Sequence, residues 1–201
     1  MAGEDQHDSG DVGVASAKKW LEMSTRVEMA WTRKDRPLKE LLEFSWPHGS
    51  QTPFSFDLGG KLRGGAFEGQ SFLAEVKNYT REGDLPTHFM KFLAGCYVAL
   101  ETHPARCDNF FWISWSPFQA TAWDRHTHTG KIKRAVLAHR RQTIGKEGVR
   151  DAIPLIDYHR IYLVSQRVAL ITMSAKQQEL VMLKEHHEAM IARIISESGA
   201  A

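Results

Sequence analysis

The chain has 201 residues, 26 Lys+Arg against 24 Asp+Glu, a formal charge of +2 and a 42% hydrophobic content. That length supports one hydrophobic core with appendages, and the two cysteines, Cys96 and Cys107, exclude a disulfide scaffold and point to a reducing, cytoplasmic setting. No apolar run approaches the ~18 residues that cross a bilayer, and the opening MAGEDQHDSGDVGV has no basic stretch followed by an apolar one, so neither a membrane span nor a signal peptide is expected.

Residues 1–14 carry Glu4, Asp5, Asp8 and Asp11 with three glycines and read as a disordered acidic tail. Residues 15–201 read as a single domain, with its core at about 16–116 and a C-terminal extension over 117–201. Trp20, Leu21, Val27, Ala30 and Trp31 recur at helical spacing after Ser16, which predicts a helix over 16–34. Pro37 opens a short helical turn through Leu41, and Phe44 and Trp46 alternate with polar neighbours as a short strand before Pro47-His48-Gly49. Phe54, Phe56 and Leu58 fall on one face of a predicted strand over 53–58, with Ser55 and Asp57 on the other. A glycine-rich loop over 59–69 leads to a second strand, 72–77, on which Phe72, Ala74 and Val76 oppose Leu73, Glu75 and Lys77; the two strands form a hairpin.

Pro86 begins a helix to about Glu101 with an apolar face. NFFWISWS over 109–116 has the length and continuous apolarity of a strand covered on both faces. A helical pattern surrounds Ile132, Val136 and Leu137, residues 161–174 read as one or two strands broken near Gln166-Arg167, and 176–196 read as an amphipathic terminal helix. The apolar stripe of that last helix suits a second copy of the chain or another partner.

The predicted hairpin places Asp57 beside Glu75, with Lys77 two residues further along the same face. Adjacent carboxylates repel, so a fold that juxtaposes them needs a cation nearby. Hard oxygen ligands of this kind suit Mg²⁺ or Mn²⁺ together with a phosphate oxygen. A lysine alongside can orient or help deprotonate an attacking water and stabilise charge on the phosphate.

At Phe56-Asp57-Leu58, followed after seventeen residues by Ala74-Glu75-Val76-Lys77-Asn78, the chain resembles the PD-(D/E)xK nuclease superfamily. The resemblance covers roughly residues 16–116. It implies an α/β, restriction-endonuclease-like core, a mixed central sheet flanked by helices, here followed by C-terminal strand(s) and a helix. It also implies a Mg²⁺-dependent endonuclease that hydrolyses phosphodiester bonds, with Asp57 and Glu75 as metal ligands and Lys77 as the third catalytic residue. A metal-assisting Glu on the leading helix is assigned to Glu22, with Glu28 close behind, and the Gln or Lys on the following helix to Lys91. The Pro that precedes the first Asp in the family is Phe56 here. The alternative is a non-catalytic nuclease-fold protein that binds nucleic acid or serves as a subunit of a larger nucleic-acid-processing or defence complex.

The near-neutral total hides a local imbalance. Residues 125–150 hold Arg125, Lys131, Lys133, Arg134, Arg140, Arg141, Lys146 and Arg150 against Glu147 alone, a local charge of +7. Such a cluster neutralises phosphates and releases counterions, which favours nucleic acid as the partner, DNA ahead of RNA. His126-Thr127-His128 and His186-His187 lack zinc-ligand spacing, although His126 lies where it could touch a phosphate.

Overall fold

A computed structural model describes residues 2–49, 52–79, 83–182 and 184–198. Helix α1 spans Ala2–Ser24, so residues 2–14 are helical where composition predicts an acidic tail. Its turns near residue 11 are held to the body: Asp11 pairs with Lys34 at 2.7 Å, and Val14 packs against buried residues of the sheet. The helix stops ten residues short of the expected end. Thr25 folds its hydroxyl back onto the Leu21 carbonyl at 2.6 Å and accepts from Val27 N–H, and the β-branched and aromatic residues beyond form strand β1, Val27–Thr32.

Strands β2 (Glu43–Phe44) and β3 (Phe54–Ser55) make a small antiparallel ribbon. The chain then bends at Phe56-Asp57 and enters the main sheet as β4, Leu58–Leu62. The predicted strand over 53–58 is therefore two strands in two sheets, and Gly59 and Gly60 are strand residues, not loop. Gly60 sits opposite Phe72, where a Cβ would meet the Phe72 ring and the Met29 carbonyl oxygen, each at 2.3 Å. Glycine is there because the neighbouring ring occupies the space its side chain would need. Only the turn after Leu62 is loop, with Gly64 and Gly65 at positive φ. Strand β5, Ser71–Lys77, returns antiparallel to β4.

Helix α2, Leu85–Thr102, crosses to β6, Asn109–Ser114, which pairs parallel to β5. Its residues from Phe92 to Leu100 are buried all round, because the helix is covered by the sheet on one side and by further helices on the other. Those are α3 (Thr129–Ala138), α4 (Arg140–Thr143) and α6 (Tyr158–Arg167), with the short α5 (Val149–Ala152) between α4 and α6 in the chain. Asp157 caps α6 by accepting from Arg160 N–H at 2.9 Å, so the first half of the predicted 161–174 strand is helix. Its second half is β7, Val168–Thr172, parallel to β6. The predicted terminal helix is divided into α7 (Ala175–Glu179) and α8 (Lys184–Ser198), and Leu180 between them is 82% exposed.

The result is a mixed five-stranded sheet in the order β1-β4-β5-β6-β7, flanked by helices on both faces. One apolar layer joins Trp31, Leu73, Phe110 and Trp112 to α2, α3 and α6. The other joins Leu58, Phe72, Ala74 and Ile113 to Ala17 and Leu21 of α1. Both cysteines are free and buried; burial raises the thiol of Cys96 and carries that of Cys107 to about 12, so neither is a reactive thiolate. Among the described residues no helix is long and apolar enough to cross a membrane.

Candidate active site

The bend between β3 and β4 positions Asp57, and the register of β4 against β5 brings it alongside Glu75 and Lys77. Leu58 lies opposite Ala74, and Asp57 N–H donates to the Ala74 carbonyl at 2.9 Å. The carboxylate completes the turn by accepting from Val76 N–H on Oδ2, also at 2.9 Å. These two bonds tie Asp57 to the β5 backbone on either side of Glu75. Asp57 is thus held by a ladder that has been bent, and its side chain is 11% exposed.

Leu73, Glu75 and Lys77 project from the α2 side of β5, as the alternation of the strand requires. Lys77 Nζ donates to Glu75 Oε1 at 2.5 Å and stands 4.0 Å from Asp57 Oδ2. A fourth charge enters from the turn after β1: Arg33 Nη2 lies 3.3 Å from Asp57 Oδ1. Burial first, and then the neighbouring Asp57 charge, raise the Glu75 carboxyl to about 7, with Lys77 and Arg33 opposing the shift. For Lys77, burial alone would favour the neutral amine, but Glu75 and Asp57 outweigh it and the ammonium form is favoured.

The four groups open into a cleft of about 370 Å³. Its far wall is apolar: Trp46, Phe54, Phe56 and Phe92, with Phe54 lying 3.1 Å from where a Gly95 Cβ would stand. His88, Lys91, Phe92 and Gly95 enter from one side of α2, at the spacing that aligns residues on a helix face. A second cleft of about 400 Å³, between α1 and β1, shares Asp57 and Arg33 with the first and is lined by Lys18, Lys19 and Lys34.

Asp57, Glu75, Lys77 and Lys91 therefore converge as the sequence predicts. Glu22 does not line either cleft; its Oε1 accepts from Ala30 N–H at 3.0 Å and pairs with Lys18 at 3.3 Å, tying α1 to β1. Glu28 is exposed on β1. Arg33 and His88 were not singled out by sequence. Arg33 lies in a polar turn that carries no pattern, whereas His88 stands three residues before Lys91 and could have been found by following that helix face.

The basic cluster lies outside the cleft lining. Lys131 donates to Gln119, Lys133 to the Tyr158 hydroxyl, and Arg140 to the carbonyls of Leu137 and Glu147. Arg141 pairs with Glu147 at 2.5 Å, while Arg125 and Arg134 are exposed. The α3–α4 junction nevertheless reaches the cleft rim, where His139 stacks on Trp46 at 6.4 Å. His126 is buried among Phe89, Phe118 and Trp123, with Nε2 3.2 Å from the Phe118 carbonyl oxygen, so it is a core histidine and not a phosphate contact.

Among the described residues no group of three or more His, Cys, Asp or Glu is gathered to hold a metal ion; the cleft presents two carboxylates. Comparison with protein-family models, curated proteins and solved structures finds no match.

Proposed function

We propose that the chain is a metal-dependent nuclease with a restriction-endonuclease-like core, hydrolysing phosphodiester bonds in DNA in the cytoplasm. The observation that carries this reading is the convergence of Asp57, Glu75 and Lys77 from a bent strand junction and its neighbouring strand into one open cleft. Two carboxylates facing one cleft are the hard oxygen donors that Mg²⁺ or Mn²⁺ takes, so Asp57 and Glu75 are the residues that would hold the ion. When bound, such an ion would supply a Lewis acid that polarises a phosphate oxygen and lowers the pKa of a bound water.

The chain's own groups do the rest. Asp57 is fixed by two backbone hydrogen bonds and so keeps its orientation without a rearrangement cost. Lys77 holds its ammonium between the carboxylates, where it can bind a non-bridging phosphate oxygen and stabilise the charge that grows there. Arg33, about half exposed, stands where the two clefts meet and can bind an adjacent phosphate. Trp46 and Phe54 offer a wall against which a sugar or base can rest.

Incubation with plasmid, linear duplex, single strands and RNA, each with Mg²⁺, Mn²⁺ or EDTA, tests the reading. Cleavage is expected with either ion and not with EDTA, and Asp57→Ala and Lys77→Ala are expected to abolish it while duplex binding persists. Undiminished cleavage by both variants removes this site.

One observation favours a second reading. Lys77 and Arg33 already compensate Glu75 and Asp57, and a self-neutralised cluster of this kind needs no ion. A nuclease-fold protein that binds nucleic acid without cutting would have such a cluster, and would show no Mn²⁺ binding that depends on Asp57.

A further inference from the structure

Hydrolysis of a phosphodiester by water leaves a proton on the attacking oxygen, and a group beside that oxygen must take it. Around the cleft both carboxylates face cations, and on the hydrolytic reading they are the groups that would hold the ion. Asp57 meets Arg33 through Oδ1 and accepts from Val76 N–H through Oδ2, and Glu75 Oε1 accepts from Lys77. Lys77 directs its N–H bonds at Glu75 and lies 4.0 Å from Asp57, so it stands in the site as a donor. The polar side chains that remain in the lining are Ser55, His88 and Lys91. Of these, only an imidazole accepts a proton near neutrality.

We propose that His88 is the catalytic base that takes the proton from the attacking water. The inference rests on the hydrolytic reading above. The water oxygen forms a bond to phosphorus and the ester P–O bond breaks. The water's proton passes to the imidazole, which releases it to solvent, and the departing alkoxide takes a proton from solvent. His88 is set by the helix face it shares with Lys91 and Gly95, and Tyr79 Oη, 3.4 Å from Nε2, orients the ring. The charges around it suit the role. Burial first, then Lys77 across the cleft, lower the imidazole below its usual 6.5; Asp84 opposes them and Lys91 adds to them. The ring is thus neutral at neutral pH and ready to accept.

Plasmid cleavage with Mg²⁺, run about one pH unit above the value of about 7 for Glu75, keeps that carboxylate ionised. His88→Gln and His88→Ala are each expected to lose about 10²–10⁴-fold in kcat with duplex affinity unchanged, the usual contribution of a general base. Added imidazole is expected to restore His88→Ala in proportion to its concentration and to leave Lys77→Ala unrescued. His88→Asn, checked with the others by circular dichroism, serves where one of them does not fold. A folded variant that cleaves within about threefold of wild type, or a folded His88→Ala that loses activity and shows no imidazole dependence, overturns the assignment. Wild-type protein that cuts none of the four substrates removes the hydrolytic reading and this one with it; cutting that survives in the His88 variants removes only this one.

Discussion

Replacing Glu75 by Gln tests the charge crowding of the site without needing any catalysis. The carboxyl ionises near 4.5 in an unfolded chain and near 7 in the folded one. Between those values the folded state binds the proton that the unfolded state has lost, so stability falls as pH rises, and the loss is complete above about 7. A shift of that size corresponds to about 3 kcal/mol at ~1.4 kcal/mol per pH unit. The Glu75 side chain is 20% exposed to the cleft, and solvent screening brings the expected figure down to about 2 kcal/mol. Glutamine mimics the protonated acid at every pH. Urea unfolding of wild type and Glu75→Gln, compared across the range, cancels the other titrating groups. The two proteins should be of similar stability near the lower value, with the variant about 2 kcal/mol more stable above the upper one. Addition of Mn²⁺ should narrow the gap for wild type alone. A difference that does not change with pH, or that grows in favour of wild type as pH rises, refutes the crowding argument.

Lys77→Met removes the cation between two partly buried carboxylates and should cost about 3–5 kcal/mol above the Glu75 pKa, less below it, as read by the same unfolding curves. Gly60→Ala forces a Cβ against the Met29 carbonyl and the Phe72 ring and should destabilise by about 1–3 kcal/mol or more in thermal melts. Neutralising Arg134 and Arg141 together should weaken duplex binding uniformly across sequences and reduce the salt slope by about 1–2, measured by fluorescence anisotropy at several salt concentrations. Arg33→Ala should raise KM for duplex more than it lowers kcat, because its guanidinium stands where the two clefts join.

Much of the sheet was legible because its strands obey simple periods. Strand β5 alternates as expected, β6 is apolar on both faces, and α2 lies within a residue of its predicted ends. The errors have physical causes. The helical expectation runs on through β1 because Val27 and Ala30 recur three residues apart. In the structure a bulge between Val27 and Met29 puts those two residues in the same layer, so an irregular strand imitates a helical spacing. The glycine pair at 59–60 reads as a loop in one dimension. Its reason for being in a strand, the Phe72 ring, lies on the neighbouring strand. Helix α6 has strand-like composition because Ile161, Leu163 and Val164 are apolar and two of them β-branched, and the Asp157 cap that decides the matter lies ahead of this apolar run. Of the candidate site, the three residues of the motif can be found from local spacing and His88 from the helix face it shares with Lys91, but Arg33 reaches the cleft only through the tertiary fold.

The bend at Phe56-Asp57 has a consequence for when the site exists at all. Phe56 is buried in the layer with α2, and Leu58, two residues on, in the layer with α1. Asp57 is thus anchored from both sides of a sheet that otherwise keeps the two layers apart. Its carboxylate reaches Glu75 and Lys77 only when both layers have formed, so a chain with one layer assembled holds the right residues in the wrong places. Activity and tertiary structure should then disappear at the same denaturant concentration, with no active intermediate between them.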